Sequence, residues 1–580
     1  MRTMRCATAV MAVVVVVALA LRAEALSSWE RRMGDLGNTK DAGVDPKLSI
    51  PTAPDLAVVW TAPSDKPVNA TPIVSDGLLF YGDWKGFFYV VDLASHERLI
   101  TIDTDTDGSD LGIVGTYTGI QATPTMATVT RADGTEERRI YFAANHPVRT
   151  LWCLSVRRIL EDKGAGSVDA DGSSYVCDGP AWPISLTAPQ PPNPTAPVQE
   201  TTLPPNTGVI HGSPLYVARQ RIVVEGVETT RDVLYTPSTG IDCANGVFWA
   251  RDALTGDVLW TFDPVEVGDG TGGVIWSVPA MNAESIFVTT GDCIQKPQVG
   301  AMAESIVALD PATGAVQWHR QARLVDAADL DIGNSPTVVD VAGEDGCQLV
   351  VTVDKDGCVY AVPQEKRLPE VGELAFDPLR PTQQVVTWRA CLVPGSAGGG
   401  FQASGATLHG RTILAQSNQI ADFQDDDVNA FALDACDGTV RWASSSVSKG
   451  SGEGAAASGM WFQPSGRRLQ VMRVDASAPE VLASVNMPPG ITTTAGGGGP
   501  AIVDGAIYVP TSGGIVVIGV DSETPGQSPP FESGTNTFSG PFPLPLTPGG
   551  DFRPPDFGGT LDPALGIDEK TLYPVNPAEP

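Results

Sequence analysis

Aspartate stands at alternate positions in Asp103-Thr104-Asp105-Thr106-Asp107, with Gly108 and Asp110 close behind. Alternating carboxylates ahead of a glycine suit a calcium loop, because hard oxygen ligands then lie on a backbone that the glycine lets curl around the ion. Asp103, Asp105 and Asp107 are therefore candidate Ca2+ ligands. The usual distal acid is absent: Val114 holds the twelfth position of an EF-hand count, Leu111 holds the ninth, and Asp110 comes one place early. The competing reading is a solvated acidic turn.

The cysteines are the second set with chemical potential. Of nine, Cys6 lies ahead of the apolar stretch at the start, leaving Cys153, Cys177, Cys243, Cys293, Cys347, Cys358, Cys391 and Cys436. Eight cysteines allow about 105 pairings, and outside the cytoplasm an even number points to disulfides. Their spacing fits no zinc site, and no C-x-x-C-H haem-attachment motif occurs. The five histidines form no metal-ligand pattern, and no nucleophile arrangement of a hydrolase is recognisable.

The compartment follows from the first residues. Arg2 and Arg5 precede an apolar run from Ala7 to Leu21, and Ala23-Glu24-Ala25 offers a small-x-small cleavage site. Residues 1–25 read as a secretion signal, so the rest is expected to be extracytoplasmic, periplasmic or secreted. No later segment is apolar and long enough for a membrane span. A formal charge of −31 without a basic stripe argues against nucleic acid or an anionic membrane as partner.

What must position any site is written in a repeat. Asp252/Gly256/Trp260, Asp310/Gly314/Trp318 and Asp434/Gly438/Trp442 share one spacing, Asp-(x3)-Gly-(x3)-Trp, each between two β-type runs. The aspartate can bond turn backbone, the glycine can take a positive φ, and the tryptophan can pack on a neighbouring unit. Strand-built units of about 58 residues mean stacked or radial sheets.

Seven such units and a three-stranded eighth can be marked as far as Asp521. The missing strand is supplied by "DLAVVWTA" around Trp60, which has no unit before it. The expectation is an all-β, eight-bladed β-propeller of four-stranded antiparallel blades, closed by the N-terminal strand. Its parts are the signal (1–25), a polar N-terminal arm (26–54), the propeller (55–521) and a Pro/Gly-rich tail (522–580). The Pro-rich 187–206 joins blade two to blade three and belongs over the face where such connections emerge.

The signature hairpins, the S-P-x-V inner strands and the opening "GDLGNTK" resemble the pyrroloquinoline quinone (PQQ) dehydrogenase repeat family, most of all the propeller of polyvinyl-alcohol dehydrogenase-like quinoproteins. The resemblance covers roughly residues 28–521. It implies a flat quinone on an aromatic floor, a cation or cationic side chain near the reactive carbonyl, and a carboxylate base. On that likeness "GGVIW" offers Trp276 as the floor and "VTTGD" offers Asp292 as a cation ligand. "DLDIG" offers Asp331 as catalytic base and further cation ligand, and "VDKDG" offers Lys355 as the partner of the quinone oxygens. Such a site takes an alcohol substrate, PQQ and Ca2+, and needs an external electron acceptor.

Blade topology places these four residues consistently. Trp276 and Asp331 open inner strands, and Asp292 and Lys355 lie in turns between second and third strands, so all four share one end of the ring. The chain departs from the family at Val274, where many relatives have Thr, and in "GSPLY", which lacks a calcium-ligating Glu. An adjacent cysteine pair of several relatives is reduced here to Cys243. Cys243 and Cys293 end equivalent strands of neighbouring blades and are expected to pair, with Cys153–Cys177, Cys347–Cys436 and Cys358–Cys391 as the compatible remainder. The reading from another class is a non-catalytic exported propeller that binds a protein or glycan on its blade tops.

Overall fold

The computed structural model describes residues 28–104, 119–145, 150–178, 182–185, 211–238, 246–264, 267, 273–291, 302–323, 330–366, 386–395, 400–401, 405–423, 426–447, 452–494 and 497–520. They form eight four-stranded antiparallel sheets, the expected eight-bladed propeller. Counted along the chain, the first strands of the blades are Ile73–Ser75, Thr125–Thr130, Leu215–Val224, Ala280–Met281, Thr337–Val341, Thr407–His409, Ala455–Ala457 and Ala501–Val503. In the eighth sheet the strand Leu56–Pro63 pairs antiparallel with Gly514–Val520, Leu56 opposite Val520 and Pro63 opposite Gly514. One sheet thus joins the two ends of the propeller's chain.

The repeated hairpins work through both halves of their signature. Asp310 Oδ1 accepts from Ala312 N at 2.7 Å and Thr313 N at 3.1 Å, and Gly314 takes φ +73. The same glycine is where the preceding blade docks. A Cβ on Gly314 would stand 2.5 Å from the Trp260 ring, and Trp260 Nε1 donates to Pro311 O at 3.1 Å. Trp388 repeats this on the next signature turn, against Gly438 and with Nε1 donating to Ala435 O at 3.1 Å. A large apolar ring with one polar atom meets a surface without side chain and one carbonyl, so each blade fixes the angle of its neighbour.

The arm runs around the inside of the ring. Trp29 pairs with Val74 of blade one, and Glu30 O accepts from Met126 N of blade two at 2.9 Å. Arg31 donates to Tyr216 O of blade three at 3.3 Å. Leu36, Gly37, Thr39 and Lys40 carbonyls then accept from Met281, Val338, Leu408 and Ala456 of blades four to seven, at 2.7, 2.8, 2.9 and 2.8 Å. Asp45 accepts from Gly505 N of blade eight at 2.7 Å. The arm therefore satisfies first-strand N–H groups that face the axis.

Charges fasten it. Glu453, at the start of blade seven, binds Arg32 at 2.9 Å and lies 3.6 Å from Lys40, whose Nζ donates to Gly405 O at 2.6 Å. Burial lowers the Lys40 ammonium to about 8, against the opposing pull of Glu453.

Disulfides join Cys153–Cys177, Cys347–Cys436 and Cys358–Cys391, as expected. The proposed partners Cys243 and Cys293 lie outside the described residues, as do residues 187–206. One element was not anticipated: a helix, Val156–Ala165, leaves the third strand of blade two with Ser155 as its N-cap and Gly166 at φ +68 as its stop. Among the described residues no helix is long and apolar enough to cross a membrane.

Candidate active site

Trp276, Asp331 and Lys355 come together between blades four and five, although each arrives on a different loop. Trp276 lies on the approach to the strand Ala280–Met281. That approach is held by Gly291, whose O accepts from Gly273 N and whose N donates to Val274 O, both at 2.9 Å. Asp331 lies on the approach to Thr337–Val341, which Asn334 ties down by donating from Nδ2 to Val353 O at 2.9 Å. Lys355 sits in the turn between Cys347–Val353 and Cys358–Pro363. That turn is closed by Gly357 N donating to Asp354 O at 3.1 Å and by Gly357 at φ +86.

Lys355 Nζ is 2.5 Å from Asp331 Oδ2. Both side chains are almost wholly buried, at 4% and 8% exposure, so this is an ion pair in a poorly solvated place. The same ammonium lies over the Trp276 ring, 4.8 Å from its centroid, where the ring's electron-rich face attracts it. One lysine thus relates the aromatic face to the carboxylate.

Two glycines make room for the pair. A Cβ on Gly333 would fall 1.4 Å from Trp276 Nε1, and a Cβ on Gly291 would fall 2.3 Å from Asp331 Oδ1. The Trp276 Nε1 is buried and has no hydrogen-bond partner among the described residues. An aromatic face, an indole N–H without a partner, a fixed cation and a carboxylate fit a flat group that carries carbonyl oxygens on its edge.

Asp292 lies outside the described residues, though its neighbour Gly291 packs on Asp331. Of the calcium-loop candidates, Asp103 ends the outer strand of blade one, exposed and opposite Phe87, while Asp105 and Asp107 lie outside the described residues. Among the described residues no three His, Cys, Asp or Glu side chains are grouped to hold a metal ion. His211, ahead of the first strand of blade three, is lowered to about 4 by burial and then by the charge of Arg32, so it is neutral at neutral pH.

Sequence reasoning passed over Gly333 and Gly291, although Gly333 closes the "DLDIG" segment and Gly291 lies within "VTTGD". It also passed over Arg323 and Glu304, which bond to the residues next to the pair, Asp354 and Ile332. The Arg323 guanidinium binds Glu304, binds Asp354 Oδ2 at 2.5 Å and reaches Asp356 Oδ2 at 3.1 Å. Burial pushes the Asp354 carboxyl well up from its ordinary value, and the charge of Arg323 opposes this.

Residues 199–366, which contain all four proposed quinone-site residues, match the family described as glucose/ethanol/alcohol dehydrogenase, beta-propeller domain, of the PQQ type. Over that segment the chain is similar to the quinoprotein dehydrogenase repeat. A segment of 171 residues is 29% identical to the glycerol dehydrogenase large subunit of Gluconobacter oxydans (strain 621H), spanning 24% of this chain but only 23% of that protein. The fold is similar to the quinohemoprotein alcohol dehydrogenase of Comamonas testosteroni, with TM-score 0.60, 16% identity, and 88% of this chain and 83% of that one covered. It is also similar to a europium-containing methanol dehydrogenase, with TM-score 0.57, 13% identity, and 86% and 92% covered. At these identities the two structures speak for the propeller alone.

Proposed function

We propose that this chain is an exported quinoprotein oxidoreductase that oxidises an alcohol with PQQ and passes the electrons to a separate acceptor. The observation that carries the reading is the buried Lys355–Asp331 pair against the Trp276 face, within the segment that matches the dehydrogenase family. The glycerol dehydrogenase likeness supports an alcohol as substrate class.

In this reading Trp276 is the floor on which the ring system rests, and Gly333 keeps that floor in place by having no side chain. Bound there, the quinone would supply an electrophilic carbonyl that accepts hydride from the alcohol carbon. Asp331 takes the hydroxyl proton of the alcohol as general base. Lys355 holds the Asp331 carboxylate in one orientation and offers ammonium protons to the oxygen on which negative charge accumulates. Asp331, together with Asp292, would hold a divalent cation at the same edge. Burial of the pair keeps bulk water from competing for these contacts. The sequence has no haem-attachment motif, which is in keeping with a separate acceptor.

The test is reconstitution. The purified protein is mixed with PQQ and Ca2+, passed through a desalting column, and assayed with a redox dye on primary, secondary and polymeric alcohols. Retention of the quinone absorbance together with alcohol-dependent dye reduction is expected. Failure to retain quinone would sink the reading and leave a binding module for a protein or glycan.

A further inference from the structure

The turn that carries Lys355 has a sister within the molecule. "Asp354-Lys355-Asp356-Gly357-Cys358-Val359-Tyr360" in blade five occupies the place of "Asp83-Trp84-Lys85-Gly86-Phe87-Phe88-Tyr89" in blade one. In blade one the turn is held by local bonds. Asp83 Oδ1 accepts from Lys85, Gly86 and Phe87 N at 2.9, 3.1 and 3.0 Å, and Asp83 Oδ2 accepts from Tyr89 OH at 2.9 Å. In blade five the tyrosine turns to Asp356, and Asp354 meets an arginine from blade four. The fold of the turn therefore does not require an arginine.

Arg323 lies just beyond the strand Val316–Gln321, the last of blade four. One of its terminal nitrogens binds Glu304 and the other binds Asp354, the residue before Lys355. Glu304 Oε2 also accepts from the backbone N of Ile332, the residue after Asp331, at 3.2 Å. One planar guanidinium thus links the segment bearing the carboxylate to the segment bearing the ammonium. Glu304 itself is fully buried at φ +49, a left-handed backbone uncommon for a residue with a Cβ.

We propose that Arg323, through Glu304 and Asp354, is the positioning residue that holds Asp331 and Lys355 at contact distance. The proposal rests on the reading of that pair as the reacting pair only for its consequence in catalysis; the geometric claim stands by itself. Arg323→Lys keeps the charge but replaces a two-ended fork by a point charge that can serve Glu304 or Asp354, not both. Glu304→Gln removes the charge that pairs with Arg323 within blade four and leaves an acceptor for Ile332 N. Asp83→Asn alters the sister turn and serves as the control.

The first readout needs no cofactor. The folded proteins are treated with an amine-acylating reagent, and modification of Lys355 is followed by peptide mass spectrometry. Lys355, being 3% exposed, is expected to be protected in the unmutated protein. Its modification rate is expected to rise at least about tenfold in Arg323→Lys, equal to about 1.4 kcal/mol of easier opening, and to stay unchanged in Asp83→Asn. The second readout is the dissociation constant of PQQ, by equilibrium dialysis, expected to rise with the labelling. Unchanged Lys355 labelling in folded Arg323→Lys would overturn the proposal; if that variant does not fold, Glu304→Gln decides by the same criterion. Raised labelling in a protein whose unmutated form takes up no PQQ would uphold the positioning role and defeat the oxidoreductase reading instead.

Discussion

Gly333 and Trp276 are in contact through the absence of a side chain: a methyl group on Gly333 would lie 1.4 Å from the indole nitrogen. Gly333→Ala must therefore displace Trp276 or the loop beneath it. Overpacking of this kind costs about 1–3 kcal/mol, which a ring of eight sheets can absorb by moving one side chain. The expected result is a protein that melts only slightly lower but retains no PQQ after desalting. A variant that binds PQQ as the parent does would show that Trp276 is not the floor of the site.

Cys347 and Cys436 join blade five to the signature turn of blade six across 89 residues of chain, whereas Cys358 and Cys391 face each other on adjacent strands of one blade, 33 residues apart. Loop-closure entropy favours the longer link by only about 0.9 kcal/mol, but that link alone spans two blades. Replacing both cysteines of either pair with serine should lower unfolding free energy by about 2–5 kcal/mol, more for Cys347–Cys436. Denaturant unfolding of the two double variants gives the comparison, and a larger loss from Cys358–Cys391 would contradict it.

The arm should respond to pH through His409. Its Nδ1 lies 2.9 Å from Asp41 Oδ2, and that hydrogen bond raises the imidazole from its ordinary value, with a further push from the charges of Asp41 and Asp475 and opposition from burial. A histidine whose folded pKa is raised adds stability that is fully present below the unfolded value, about 6.5, and is lost as pH rises through the folded value. The unmutated protein should therefore lose melting temperature as pH climbs above about 6.5, and His409→Gln should flatten that slope. Proteolysis at the arm, faster at high pH in the parent alone, would report the same event. A parallel slope in both proteins would remove His409 from this role.

The spacing of Asp, Gly and Trp was enough to read the blades, because each signature is a local turn plus one docking ring, and all three are set by residues four apart. The convergence of Trp276, Asp331 and Lys355 was legible through family likeness and blade topology, which brings strand starts and second-to-third turns to one end. The arm's course was not legible: its bonds to the blades run through backbone carbonyls, which leave no mark in side-chain pattern. Arg323 and Glu304 escaped for a related reason. Their partners lie up to 33 residues away on another blade, and nothing near "AMAES" or "QARLV" signals that a charge there will be buried. The helix Val156–Ala165 shows only Val156 and Ile159 as fully buried apolar residues, too few for a visible stripe.

The Lys355–Asp331 pair makes a prediction about coupling as well as rate. Removing one member leaves the other charged and buried without its partner, which costs about 3–5 kcal/mol, while removing both costs less than the sum. Asp331→Asn, Lys355→Gln and the double variant should thus show non-additive losses of stability in a denaturation cycle. Catalysis should divide differently. Asp331→Asn preserves size and hydrogen bonding but cannot accept the alcohol proton, so kcat in the PQQ-reconstituted dye assay should fall by about 10²–10⁴ with PQQ still retained. Lys355→Gln removes the ammonium that faces both the carboxylate and the Trp276 ring, so it should weaken PQQ retention as well as kcat. If Asp331→Asn turns over alcohol at the parent rate, the proton is taken elsewhere and Asp331 loses the role; if Lys355→Gln binds PQQ normally, the ammonium serves the carboxylate alone.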